Sequence, residues 1–182
     1  MRKHPDFPGT YEGLKRLTEH LRGKDGCPWD KEQTHVSLKR NLLEECYEVL
    51  EAIDQNEPQK LREELGDLLF QITSHCCLAE ETGAFTTEEV FHELNKKLIR
   101  RHPHVFGNDS KMQPREIEEK WDAQKRAERG GKSSLDRVPL DLPALAYSQI
   151  IQDRASRTGF DWDNIDGVLE KLKEEIMEFQ TT

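Results

Sequence analysis

Apolar residues recur along the chain at intervals of three and four. No segment alternates apolar and polar positions with β-branched residues, so the pattern predicts helices and no sheet. Leu14, Leu17 and Leu21 place a first helix over residues 10–21, ending before Gly23. Residues 24–35, with Gly26, Pro28 and Trp29, read as a loop. Ser37 opens a second helix through about Ile53, with Leu42, Leu43, Cys46, Val49, Leu50 and Ile53 on one face. Asn56 and Pro58 read as the cap and first position of a third, which carries Leu61, Leu65, Leu68, Leu69 and Ile72 and stops at Gly83. Thr86 and Glu89 fit a capping box for a helix reaching Arg101, where His102-Pro103 breaks it. Helical spacing resumes over 114–129, 144–157 and 164–179, with Gly130–Ser134 as the best linker.

Composition agrees with this picture and narrows it. Among 182 residues, 34% are hydrophobic and 35% charged, and the excess is in Glu, Lys and Arg, all good helix formers. The expected class is therefore all-α, with heavily charged outer faces. A balance of 27 basic against 36 acidic side chains gives a net charge of −9, which argues against general nucleic-acid binding. No apolar run is long enough to span a membrane, and the start of the chain lacks the apolar stretch of a signal peptide, so the cytoplasm is the expected compartment. Cys27, Cys46, Cys76 and Cys77 contain no C-x-x-C pair, and so suggest neither a zinc knuckle nor a redox motif.

The candidate chemistry lies in carboxylates. Glu45 and Glu48 are three apart on the second predicted helix, and Glu64 and Asp67 three apart on the third, so each pair shares a helix face. A short turn between these helices would set them antiparallel and bring the two pairs together as an oxygen-only cage, suited to Mg²⁺ or Mn²⁺. The plain alternative is a pair of solvated acidic faces, as in any highly charged helical protein. A di-iron site would want Glu-x-x-His on two helices, and this chain offers Glu-x-x-Glu and Glu-x-x-Asp. Downstream, Lys97, Arg100 and Arg101 form a basic cluster of the kind a polyphosphate needs beside a metal, or a solvated helix end favoured by the dipole. Lys60, before the third helix's acids, reads as another phosphate contact or a surface charge.

CPWDKEQTHVSLKRNLLEECYEVLEAI, LREELGDLLFQ and KLIRRHPHVF together resemble the first module of MazG-type nucleoside triphosphate pyrophosphohydrolases. SLDRVPLDLPAL and RTGFDWDNIDGVLEKLKEE resemble that family's linker and the start of its second module. The resemblance implies a module over 1–129, a linker over 130–143 and a truncated second module over 144–182. It also implies an all-α bundle completed in a homodimer, and Mg²⁺-dependent cleavage of nucleoside triphosphates to monophosphate and pyrophosphate. By motif, the metal ligands would be Glu45, Glu48, Glu64 and Asp67. Glu44 would sit behind them or orient water as a base, so Glu44 and Glu45 are the catalytic candidates. Lys60, Lys97, Arg100, Arg101 and Trp121 would contact the nucleotide, Trp121 reading equally as a packing aromatic.

Two features depart from that pattern. Active modules often carry Asn shortly after the ExxD motif, where this helix continues through Ser74, His75 and Cys76. Glu174, Glu175 and Glu178 echo the first acidic helix, but no ExxD helix follows them, so a second site would be dead. These departures motivate an alternative: a catalytically weak module that binds nucleotide, dimerises and regulates a separate catalytic half.

Overall fold

The structure is a computed structural model that describes residues 6–107 and 138–181, and residues 113, 116, 117, 120, 121, 123, 124, 128 and 135 between them. Among the described residues every regular element is a helix, as the apolar spacing predicts. The chain divides into two compact units at His102–Pro103.

In the first unit, α1 (Tyr11–Arg22) starts at Thr10, whose hydroxyl accepts from the Gly13 N–H at 3.1 Å. A short α2 (Pro28–Glu32) lies inside the segment expected to be a loop. Pro28 at its first position presets the backbone, and the acidic Asp30 favours a helix start. The next helix, α3 (Lys39–Asp54), begins later than the expected Ser37. Ser37 is taken up in a reciprocal turn instead: the Thr34 N–H donates to Ser37 Oγ at 2.9 Å, and the Ser37 N–H to Thr34 Oγ1 at 3.1 Å.

Asn56 closes α3 rather than capping the next helix. Its φ of 52° is left-handed, and the Glu57 N–H reaches back to the Ala52 carbonyl at 3.1 Å. Glu57 and Pro58 then open α4 (Pro58–Glu81), at 24 residues long enough to pair with several other helices. Gly83 ends it with φ 67°, as the Ala84 N–H bonds the Ala79 carbonyl at 2.9 Å. The capping box of α5 (Thr87–Arg101) forms as expected, with the Thr86 N–H donating to the Glu89 carboxylate at 2.7 Å.

α4 is the axis of this unit, packing most extensively against α3, then α1, then α5. The core gathers around its second half, where Gln71, Thr73, Ser74, Cys76, Cys77, Leu78 and Ala79 are buried with Thr18 of α1 and Thr87 of α5. Arg22 locks α1 to the far end of α4. Its guanidinium donates to both Glu81 oxygens, at 2.6 and 2.8 Å, and to the carbonyls of Asp30 and Gln33. Lys15, about two turns earlier on α1, pairs with Glu80 at 3.1 Å. The long apolar side chains of the predicted helix faces are mostly elsewhere: Leu43, Leu50 and Ile53 of α3 and Leu65, Leu69 and Ile72 of α4 are all exposed.

The second unit contains α6 (Pro103–Phe106), α7 (Ala144–Ser156) and α8 (Ile165–Thr181). The described residues of the helix expected over 114–129 are helical from 116 onwards, and the Gly130–Ser134 linker lies outside the described residues. Asn164 caps α8 by accepting from the Asp166 and Gly167 N–H groups at 3.0 and 3.2 Å. Gly167 lets the Trp162 ring lie against the helix; a Cβ there would stand 2.7 Å from that ring.

Candidate metal centre

The α3–α4 hairpin places acidic residues of both helices side by side. Glu45, Glu48 and Glu64 each offer a carboxylate oxygen, and these oxygens lie within 4.8 Å of one another. The turn at Asn56 is what makes this geometry. It reverses the chain so that acids before the turn on α3 meet acids after it on α4.

The electrostatics record the crowding. Burial pushes the Glu45 carboxyl above its ordinary range, and the negative charges of Asp67, Glu48 and Glu64 push it further. Glu64 is raised too, first by lost solvation and then by Glu48, Glu63 and Asp67, against a lowering pull from Lys60. Asp67 thus acts on both glutamates but stands outside the three-oxygen group. Like charges held this close favour a bound cation, and an all-carboxylate donor set suits a hard divalent ion.

Other residues singled out from the sequence are placed differently. Glu44 is exposed on α3 and takes no part in the group. The Lys60 ammonium is engaged with Glu51, one turn beyond Glu48, and that hydrogen bond lowers the Glu51 carboxyl and raises the lysine. Lys97 and Arg100 are exposed and Arg101 half-buried at the end of α5, outside the carboxylate group. Trp121 is half-buried and belongs to the second unit. Ser74, in the stretch after the ExxD motif, is a buried packing residue whose hydroxyl donates to the Phe70 carbonyl at 2.8 Å. In α8, Glu174 and Glu175 both pair with Lys171, at 2.7 and 3.1 Å. The sequence reading missed Glu51, although its spacing of three from Glu48 continues the acidic face.

Residues 33–106, the stretch that contains the carboxylate hairpin, match the model of the MazG nucleotide pyrophosphohydrolase domain. The chain is also 46% identical over 172 residues to the nucleoside triphosphate pyrophosphohydrolase/pyrophosphatase MazG of Thermotoga maritima, covering 93% of this chain and 66% of that protein. The chain belongs to the MazG family. The nucleoside triphosphate pyrophosphohydrolase of Escherichia coli K12 is 43% identical over 169 residues, covering 91% of this chain and 64% of that one. The chain therefore spans just under two thirds of the length of these MazG relatives. A crystal structure of a mazG-related protein from Thermotoga maritima superposes with a TM-score of 0.54 at 28% identity, covering 63% of this chain and 98% of that one. This likeness agrees with the all-α MazG fold.

Proposed function

We propose that this chain is a Mg²⁺-dependent nucleoside triphosphate pyrophosphohydrolase, cleaving NTP or dNTP to the monophosphate and pyrophosphate. The convergence of Glu45, Glu48 and Glu64 within 4.8 Å, in a chain of the MazG family, is the observation that carries this reading. Asp67, whose charge already acts on Glu45 and Glu64, completes the ligand set with a change of side-chain rotamer. When bound, the cation neutralises phosphate charge and makes water more acidic, with Mn²⁺ able to stand in for Mg²⁺.

The protein's own residues do the rest. Glu44, exposed beside the ligands and outside their group, orients the attacking water and accepts its proton. Lys60 exchanges its Glu51 partner for a phosphate oxygen, and Lys97, Arg100 and Arg101 meet the charge that builds on the leaving pyrophosphate. Residues 1–129 form the module, 130–143 its linker and 144–182 the start of a second module. We further propose that the chain works in the cytoplasm as a homodimer, the second copy covering the exposed Leu43, Leu50, Leu65 and Leu69. Among the described residues no helix is long and apolar enough to cross a membrane, and the four cysteines are free thiols.

Phosphorus NMR of the purified chain with each triphosphate and Mg²⁺ tests the activity. Pyrophosphate and monophosphate should appear together, and a Glu45→Gln, Asp67→Asn double variant should be inert. Equal turnover by both proteins would remove the assignment. The buried, packing role of Ser74 favours a second reading, a weakly catalytic module that binds nucleotide and regulates another catalytic half. Calorimetry showing binding of metal and nucleotide without turnover would select it.

A further inference from the structure

His35 and His75 meet across the first unit with their Nδ1 atoms 2.8 Å apart. Their rings are within 9° of parallel and their centroids 5.1 Å apart. A nitrogen separation below the roughly 3.5 Å of nonbonded contact means a hydrogen bond within a shared ring plane, rather than two rings piled face to face. Such a bond needs one Nδ1 to donate and the other to accept.

The surroundings decide which ring donates. His75 Nε2 is buried and has no partner, so a proton there would be a stranded donor. The single proton of neutral His75 therefore sits on Nδ1 and is donated to Nδ1 of His35. His35 is exposed, and carries its own proton on Nε2 toward water. The same buried Nε2 disfavours a metal between the rings. A histidine ligating through Nδ1 carries its proton on Nε2 and normally gives it to an acceptor, which His75 lacks. Among the described residues, no further Cys, Asp, Glu or His joins these two in a metal-binding group.

The bond ties two elements that matter to the carboxylate site. His35 lies in the Thr34–Ser37 turn, directly before the buried Leu38, and α3 has no side-chain hydrogen bond at its N-cap. We propose that the His35–His75 hydrogen bond is a proton-sensitive clasp that fastens the start of α3 to α4 while both rings are neutral and opens when the pair takes up one proton. An added proton has only two places to go. On His75 Nε2 it is buried without an acceptor; on His35 Nδ1 it faces the N–H of His75 or displaces that hydrogen to the buried Nε2. Every route removes the bond or strands a donor.

Neighbouring charges do not offset this. On α1, Lys15 is held by Glu80 and Arg22 by Glu81, and Glu88 of α5 also faces Lys15. Burial, and secondly His35, hold His75 below the ordinary histidine range. The clasp thus contributes fully above that ordinary range and is lost as pH falls through the lowered value.

Ring-nitrogen NMR and amide hydrogen exchange on the full chain test the clasp without reference to catalysis. At pH 7.5 His75 should show the Nδ1–H tautomer. Exchange over residues 34–42, corrected for intrinsic rate, should speed at least threefold at pH 5.5. In His35→Ala, an exposed and foldable change, exchange there should already be fast at pH 7.5 and lose its pH dependence. An Nε2–H tautomer at His75, or protection unchanged by both acid and His35→Ala, overturns the clasp. Equimolar Zn²⁺ shifting both rings overturns it in favour of a metal site.

Discussion

Removing the charge of Glu45 should stabilise the metal-free protein and abolish its response to Mg²⁺. In Glu45→Gln the shape is kept and one of three crowded carboxylates is neutralised. Oxygens of Glu45 and Glu48 lie within 4.8 Å. At that separation, in the water-like dielectric of a largely solvated pair, two unit charges repel by about 1 kcal/mol. Salt at physiological strength screens this to about 0.5 kcal/mol. For a chain of this size that is worth roughly 1–2 °C in Tm. Mg²⁺ at a hundred times its Kd should stabilise the wild type by about 2.7 kcal/mol. That is roughly 5–11 °C in Tm.

The pH dependence fixes the sign. Glu45 and Glu64 have carboxyls raised by folding, so their repulsion is absent below the ordinary carboxylate range and complete above the raised values. Metal-free stability should therefore fall as pH rises through that window, while the Mg²⁺ shift grows. Thermal melts of both proteins at pH 4 and pH 7.5, with and without Mg²⁺, measure all of this. An equal Mg²⁺ shift in wild type and Glu45→Gln at pH 7.5, or a wild-type shift undiminished at pH 4, would refute the metal reading.

Arg22→Ala breaks a nearly buried guanidinium network and should cost about 2 kcal/mol. By thermal melting this appears as a Tm roughly 4–8 °C lower. Arg22 holds the Glu81 carboxyl below its ordinary range, so the Glu81 share of the wild-type advantage should be complete above that range and be lost as pH falls through the lowered value, while the share from the Asp30 and Gln33 carbonyls stays. Lys60→Ala should leave the melting midpoint unchanged, because its Glu51 pair is solvated, and should raise KM for triphosphate in a steady-state assay. Leu69→Glu should convert a dimer to a monomer in light scattering, since Leu69 is 46% exposed on the face assigned to the second copy.

The sequence carried most of the helical architecture because its signals were local. The Thr86–Glu89 box, the break at His102-Pro103 and Gly83 each act within one turn, and each sits where spacing predicts. The acidic hairpin was legible for a similar reason: residues three apart share a face, and a short turn makes neighbouring helices antiparallel. What could not be read was set by contacts distant in sequence. Lys60 pairs with Glu51 across the hairpin, and His35 meets His75 from 40 residues away, with no spacing to announce either. Asn56 is ambiguous in sequence because Asn serves equally as an N-cap and as a left-handed helix end; only the return of the Glu57 N–H to Ala52 distinguishes them.

The apolar stripes of α3 and α4 teach a different lesson. Leu43, Leu50, Leu65 and Leu69 keep helical spacing yet stay exposed, while the buried positions of these two helices, Leu78 apart, are small or polar, such as Ala52, Thr73 and Ala79. Periodicity identifies a face that needs covering; it does not say whether the same chain covers it. Here α3 and α4 spend one face on each other, one on the carboxylates and leave one apolar. The proposed dimer and the proposed cation site therefore use the same two helices, which ties their equilibria together. A cation that stiffens the α3–α4 hairpin strengthens assembly, and by reciprocity dilution to monomer weakens cation binding by the same factor.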